Sequence, residues 1–166
     1  MRIVAIDNGL DGAIALVEGL SLLDCLVTPT VTVKASKREY NGNEIVAIIE
    51  RMRPDHVILE KAQSMPGQGV ASMFSIGQGY GLFRGILAAL RVPHTLVHPK
   101  TWQKVMFQDL PKSDTKAMSL IVCMRLWPSR SWLASPRCRK PHDGLTDAAL
   151  IAEYGRRLLD AGSSST

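Results

Sequence analysis

The chain has 166 residues, of which 46% are hydrophobic, and it carries 20 basic against 15 acidic residues. These values predict one globular domain at residues 1–161, followed by a flexible tail at 162–166. The three cysteines include no C-x-x-C pair, which argues against a disulfide framework and a zinc site. The N-terminus shows no signal-peptide pattern and no apolar stretch suits a membrane span, so we expect an intracellular protein with no membrane contact.

The first half of the chain begins with strand patterns. Apolar runs at about 2–7, 12–18 and 21–27 predict three antiparallel strands. Residues 28–43 predict a loop with at most a short extended piece. A helix is predicted at 43–53, where apolar residues recur at helical spacing, and a strand follows at 55–60.

The second half is mainly helical. A long helix is predicted at 70–91, where apolar residues lie on nearly all sides, and a strand follows at 94–98. A short helix begins at Pro99, and the next helix is capped by Ser113 or Asp114 and ends at Trp127. A basic loop at 129–141 leads to the last helix at 143–160. This order predicts an α/β fold, namely a ribonuclease-H-like mixed five-stranded sheet flanked by helices.

Four acidic residues stand at the ends or beginnings of these elements. Asp7 closes the first strand, Glu60 closes the strand at 55–60, and Asp143 and Asp147 open the last helix on one of its faces. A single acid at such a position is commonly a solvated residue or a helix N-cap, and Glu153 is predicted to be solvated. The four together favour a shared site. Because four carboxylates would repel one another without cations, the pattern predicts bound Mg²⁺ or Mn²⁺.

Basic residues are concentrated in the middle of the chain. Residues 61–140 contain 12 basic and 2 acidic residues, whereas residues 1–60 contain 6 and 9. This segregation predicts that the middle segment binds a polyanion such as nucleic acid. Trp102, Trp127 and Trp132 could stack on bases, but we predict that they belong to the core. The basic residues that are candidates for DNA binding are Lys100, Lys104, Lys112, Arg137, Arg139 and Lys140.

The long helix at 70–91 and the loop before it have unusual compositions. The helix contains Gly77, Gly79, Gly81 and Gly85, each costing roughly 0.5–1 kcal/mol relative to alanine. This predicts close packing of the helix on the sheet, or on the same helix of a second subunit.

The preceding loop combines amide side chains with a methionine. We predict that Gln63 and Gln68 contact base edges and that Met65 wedges into a base stack. The alternative is a flexible turn, with Met73 and Phe74 beginning the core helix.

Residues 3–157 resemble the RuvC-type Holliday junction resolvases, in particular the branch that includes the chloroplast resolvase and its bacterial and phage-encoded relatives. The segments that carry the resemblance are residues 6–9 with 12–15, 59–61, 65–70 with 72–75, 99–102, and 142–144 with 148–154. The family usually has proline after its first aspartate, where this chain has Asn8.

The resemblance implies a homodimer that binds a four-way DNA junction and nicks two opposing strands symmetrically. It implies two Mg²⁺ ions per active site, replaceable by Mn²⁺, with the ligands Asp7, Glu60, Asp143 and Asp147. Lys116, and also Lys112, would neutralise charge at the scissile phosphate, while His142 would orient water or phosphate. A bacterial or phage-encoded cytoplasmic protein, or an organellar one in a eukaryote, is the corresponding expectation.

Three alternatives remain open at this point. A ribonuclease H would use the same acids on an RNA–DNA hybrid. A non-catalytic junction-binding protein could share the scaffold, although the presence of all four acids argues against it. A sugar-kinase-like or actin-like ATPase also begins with a strand and an aspartate turn, but it would need two such domains around its nucleotide.

Overall fold

The computed structural model describes residues 1–34, 37–63, 67 and 69–163. Its elements in chain order are β1 (Arg2–Asp7), β2 (Ala13–Glu18), β3 (Ser21–Val27), β4 (Thr30–Lys34), β5 (Lys37–Tyr40), α1 (Gly42–Met52), β6 (His56–Glu60), α2 (Val70–Ala89), β7 (His94–Val97), α3 (Pro99–Met106), α4 (Thr115–Leu126) and α5 (Asp143–Ser163). The main sheet has the order β3-β2-β1-β6-β7. Its first three strands are antiparallel, and β6 and β7 add in parallel, which confirms the predicted mixed five-stranded sheet.

Helices cover both faces of this sheet. Because successive strand residues point to opposite faces, Ile3 and Ala5 of β1 belong to the core under α3, α4 and α5, whereas Val4 and Ile6 belong to the core under α1 and α2. Gly155 lets α5 approach the sheet closely, since a Cβ there would collide with the side chain of Ile58. The last helix is therefore the main cover of its face.

The fold brings the ends of β1 and β6 to one edge. The parallel pairing of these strands runs to Ile6 and Leu59, so the two strand-end acids follow side by side. The first turn of α5 lies on the turn between β1 and β2, where a Cβ on Gly144 would collide with backbone atoms of Asp11 and Gly12. This packing places the beginning of α5 beside the end of β1.

Three local features differ from the expectations. The segment predicted as a loop at 28–43 contains the antiparallel hairpin of β4 and β5, whose residues are mostly exposed, Val31 and Val33 included. Helix α5 continues to Ser163, so helical backbone extends into the segment expected to be a tail. The prediction for Glu153 is wrong: its side chain is buried, and Arg156 and Arg157 donate hydrogen bonds to it.

The glycines of α2 fall into two groups. A Cβ on Gly79 would collide with the Tyr40 hydroxyl and the Asn8 carbonyl oxygen, so this position requires close packing. For Gly77, Gly81 and Gly85, apart from their chain neighbours and the nearby backbone of α2 itself, no atom of the described residues lies within 4 Å of an added Cβ. Packing within the chain therefore explains one of the four glycines.

Among the residues that the structure describes, no helix is both long and apolar enough to span a membrane.

Candidate active site

Asp7 lies half-buried at the end of β1 and is the centre of the acid cluster. The pKa of its carboxyl group is raised to about 7, mainly by burial and to a smaller extent by the negative charges of Asp147 and Asp11. The backbone N–H of Gly9 opposes this by donating a hydrogen bond of 3.3 Å to Oδ1. The ionised form of Asp7 is thus poorly stabilised by the protein alone.

Glu60 presents a second carboxylate at the end of β6. Burial raises its pKa to about 8, and the charges of Asp7 and Asp147 act in the same direction. The indole Nε1 of Trp102 donates a hydrogen bond of 2.8 Å to Oε1, which favours the ionised form. The mutual influence of these three acids places them in one cluster.

Asp147 contributes the third carboxylate from the first turns of α5. Burial raises its pKa to about 6, and the charge of Asp143 adds to the effect. Ser119 of α4 donates a hydrogen bond of 2.6 Å from Oγ to Oδ1, and the Lys116 ammonium is near enough to lower the pKa. Helix α4 therefore supplies both polar neighbours of this acid.

Asp143 lies at the rim of the cluster. Its side chain is 48% exposed, and its Oδ2 forms an ion pair with Lys116 Nζ at 2.6 Å. The hydrogen bond with Asp143 raises the pKa of Lys116, which stays positively charged. Of the four predicted acids, three meet in a partly buried cluster, and the fourth is paired with the predicted catalytic lysine.

The donor set suits a hard divalent cation. Carboxylate oxygens from β1, β6 and α5 are the ligands that Mg²⁺ and Mn²⁺ favour, and a cation would relieve the repulsion that raises these pKa values. Within the described ranges, no three His, Cys, Asp or Glu side chains are close enough to form a complete metal site as they stand. Lys116 holds Asp143 in an ion pair, so the Asp143 carboxylate would have to turn away from the lysine to share an ion with the other acids.

His142 precedes the cluster in the chain. Its carbonyl oxygen accepts hydrogen bonds from the N–H groups of Leu145 and Thr146, so it begins α5. Its ring Nδ1 is buried and has no hydrogen-bond partner in the described part of the chain. The histidine therefore stands next to Asp143 in the chain, and its Nδ1 makes no hydrogen bond with any of the four predicted acids.

The predicted DNA-binding bases all lie on the surface. They are Lys100, Lys104, Lys112, Arg137, Arg139 and Lys140, each with an exposed side chain. Lys140 shares with Lys116 and Asp143 the lining of a small pocket of about 250 Å³. One predicted phosphate-binding residue is thus brought to the edge of the acid cluster.

The loop after Glu60 is only partly described. Gln63 is exposed, and its side-chain Nε2 lies 2.7 Å from Nδ1 of His98. Met65 and Gln68 lie outside the described residues. Met73 and Phe74 lie near the beginning of α2, as the alternative expected, but their side chains are exposed and do not pack in the core.

A larger groove of about 830 Å³ runs between β5 and the first turns of α2. Phe74, Val70 and Lys37 are among its lining residues, which include none of the four acids. The acid cluster therefore lies outside this groove.

The sequence did not indicate the residues that hold the acids. Trp102 and Trp132 are buried, as predicted, but the bond from Trp102 to Glu60 has no signal in residue spacing. Ser119 was not singled out at all, and it is buried against Asp147. Asn8 was noted only as a departure from a family pattern, yet its Nδ2 donates a 2.5 Å hydrogen bond to the Glu60 carbonyl oxygen.

Comparison with known proteins gives a consistent structural answer. No family model matches the sequence, and no curated protein matches it significantly. Among solved structures, RuvC from Thermus thermophilus superposes with a TM-score of 0.61 at 17% identity, covering 95% of this chain and 96% of RuvC. The T. thermophilus RuvC complex with a Holliday junction substrate gives a TM-score of 0.64 with the same identity and coverage.

A third similar structure is that of the yeast mitochondrial Holliday junction resolvase Ydc2. It superposes with a TM-score of 0.57 at 15% identity, covering 94% of this chain and 78% of Ydc2. Identities this low establish similarity of fold. The chain has the α/β fold of the RuvC-like Holliday junction resolvases.

Proposed function

We propose that this chain is a metal-dependent endonuclease that resolves four-way DNA junctions. The observation that carries the proposal is the convergence of Asp7, Glu60 and Asp147 from three separate elements of a RuvC-like fold. Burial raises the pKa of all three, and the charge of a neighbouring aspartate adds to the rise in each, so the ionised cluster destabilises the fold unless a cation binds it.

The residues that would hold the metal are the three clustered acids, joined by Asp143 after it leaves Lys116. Mg²⁺ bound there supplies activation of a water molecule and neutralises charge on the leaving 3′ oxygen. Freed from Asp143, the Lys116 ammonium would donate to a phosphate oxygen at the same edge. Asp7 would hold the metal together with Glu60 and Asp147, since the charges of Asp7 and Asp147 both act on Glu60 and the charge of Asp147 acts on Asp7.

Surface charge supports a DNA substrate. The segment at 61–140 carries 12 basic and 2 acidic residues, and its predicted DNA-binding bases are exposed. Lys140 borders the pocket shared with Lys116 and Asp143, so a backbone phosphate bound there would lie next to the acids. T. thermophilus RuvC, which shares the fold, has been solved with a Holliday junction substrate, and we extend that substrate to this chain.

We also propose a homodimer, because nicking two opposing strands requires two active sites. Gly81 and Gly85 of α2 have open space beside them and border an apolar groove of about 430 Å³. The other residues of its lining are Val46, Leu82, Ile86, Ala89 and Leu90. A two-fold axis along this face would match the symmetry of the junction and explain two glycines that intrachain packing does not.

A substrate comparison tests the proposal. The protein is incubated with a four-way junction, a linear DNA duplex or an RNA–DNA hybrid, each with Mg²⁺ or with EDTA, alongside Asp7→Asn. We expect the parent protein to cleave only the four-way junction, and only when Mg²⁺ is present. We expect Asp7→Asn to cleave none of the substrates. Preferential cleavage of the hybrid would instead assign a ribonuclease H, and tight junction binding without cleavage would assign a binding protein.

A further inference from the structure

The main chain of Glu60 is held at the point where regular strand pairing stops. The β1–β6 ladder ends at Ile6 and Leu59, one residue short of the acids. Beyond it, Asn8 Nδ2 donates a 2.5 Å hydrogen bond to the Glu60 carbonyl oxygen, and a side chain replaces the next ladder bond. Asn8 is 6% exposed, so water competes little for this contact.

Asn8 is itself fixed by its neighbours. Its carbonyl oxygen accepts a hydrogen bond of 3.0 Å from the Tyr40 hydroxyl, and Gly79 of α2 packs against both groups. On the far side of β6, Glu60 pairs with Val97 of β7. The backbone that carries the Glu60 carboxylate is therefore held from both neighbouring strands.

The carboxylate of Glu60 is held separately by Trp102. Helix α3 begins at Pro99 directly after β7, and this short connection brings Trp102 under the end of β6. The indole is fully buried and packs edge-on against Phe107, with ring centroids 5.6 Å apart. Its position is thus set by the core, and its N–H can only donate.

The indole orients the carboxylate without neutralising it. A carboxylate has about four lone-pair sites, and the Trp102 N–H occupies one of them on Oε1. A lysine in this place would add a positive charge, as Lys116 does at Asp143, and would compete with a metal ion. A neutral donor leaves the remaining sites and the full negative charge available.

We propose that Asn8 and Trp102 are positioning residues that fix the main chain and the carboxylate of Glu60 before a divalent cation binds. The proposal rests on the metal-dependent function proposed above. Partners of this kind commonly change metal affinity 10–100-fold. We expect Trp102→Phe and Asn8→Ala each to weaken Mn²⁺ binding by about 10-fold.

Trp132 offers a matched control. It is 5% exposed and belongs to the same core cluster as Trp102, but its indole N–H has no hydrogen-bond partner among the described residues. Trp132→Phe therefore removes the same atoms from the same core without removing a bond to an acid. Loss of stability alone would affect both variants, whereas a positioning role affects one.

The experiment is calorimetric titration of DNA-free protein with Mn²⁺, for the parent, Trp102→Phe, Trp132→Phe and Asn8→Ala. A second measurement needs no variant: the indole N–H resonances of the parent are followed by NMR during addition of Mg²⁺. We expect the Trp102 resonance to shift at the concentration where metal binds, and the Trp132 resonance to stay in place.

The outcomes separate this inference from the proposed function. If the parent binds no Mn²⁺, the metal-dependent function fails and the positioning role fails with it. If the parent binds Mn²⁺ and Trp102→Phe binds it equally well, the positioning role is wrong while the function stands. The same conclusion follows if the Trp102 indole resonance of the parent does not shift on addition of Mg²⁺. Equal weakening by Trp102→Phe and Trp132→Phe would also refute it.

Discussion

Asp7→Asn should make the metal-free protein more stable at alkaline pH while it abolishes cleavage. Burial and neighbouring charge raise the Asp7 pKa from 3.8 to about 7, so the folded state binds more protons than the unfolded state between these values. The contribution of Asp7 to stability is then fully present below about pH 4 and is lost as the pH rises through about 7. Asparagine keeps the shape of the side chain and removes the charge.

The magnitude follows from the same numbers. At about 1.4 kcal/mol per tenfold change in acid dissociation constant, the rise from 3.8 to about 7 corresponds to roughly 4 kcal/mol for the ionised group. Entry of water beside the half-buried side chain reduces this, and we expect a gain of about 1–2 kcal/mol at about pH 8 in EDTA. Near pH 4 the gain should vanish, because Asp7 is then protonated in the parent.

Urea unfolding with and without EDTA measures this effect. Asp143→Asn is the control, since Asp143 is exposed and paired with Lys116, and its loss should cost at most about 1 kcal/mol. Added Mg²⁺ should stabilise the parent and leave Asp7→Asn unchanged, because a ligand stabilises the state that binds it. A variant less stable than the parent at about pH 8 in EDTA would show that ionised Asp7 supports the fold, and would refute this reasoning.

Three further predictions concern catalysis, DNA affinity and assembly. Glu60→Gln and Asp147→Asn should abolish cleavage while gel-shift affinity for a junction persists, and normal turnover in either would remove that acid from the mechanism. Junction affinity should fall steeply with salt, with a log–log slope of about −0.9 per phosphate contact, and Lys140→Ala should reduce the slope by about one; a slope near zero contradicts DNA binding by the basic segment. Gly81→Leu should weaken the dimer in sedimentation equilibrium without unfolding the subunit, whereas Gly79→Leu should destabilise the fold because its Cβ site is occupied; an unaffected Gly81→Leu dimer would exclude this face as the interface.

The acids were predictable because their positions are local features of sequence. Asp7 and Glu60 each end an apolar run, and parallel pairing of those strands brings their ends together. The place of Asp147 was predictable because it stands four residues after Asp143, and this helical spacing puts both on one face at the beginning of α5. Burial of Trp102 and Trp132 was also predictable, since large aromatic side chains are mostly buried on average.

The groups that hold the acids were not predictable, because they depend on tertiary packing. Trp102 and Glu60 are 42 residues apart, and Ser119 and Asp147 are 28 residues apart. No periodicity relates such positions. The ion pair between Lys116 and Asp143 likewise depends on how α4 packs against α5, which residue spacing does not specify.

The hairpin of β4 and β5 shows a different limit. Its strands have five and four residues, they are mostly exposed, and they include Lys34, Lys37 and Arg38. Residues 30–33 alternate threonine with valine as a strand does, but the pattern is only four residues long, and Val31 and Val33 are both exposed. The hairpin is tied to the rest of the molecule by Tyr40 and by an ion pair of 2.6 Å between Arg38 and Asp11.

Nicking of a supercoiled plasmid that extrudes a cruciform tests the central claim most directly. The cruciform is a four-way junction, and linear product forms only when both opposing strands are cut within one encounter, before a single nick releases the supercoiling. We expect the parent protein to give linear product in Mg²⁺ and none in EDTA, and we expect Asp147→Asn to give none in either. Accumulation of open circles alone, or equal cutting of a plasmid that lacks the cruciform, would contradict it.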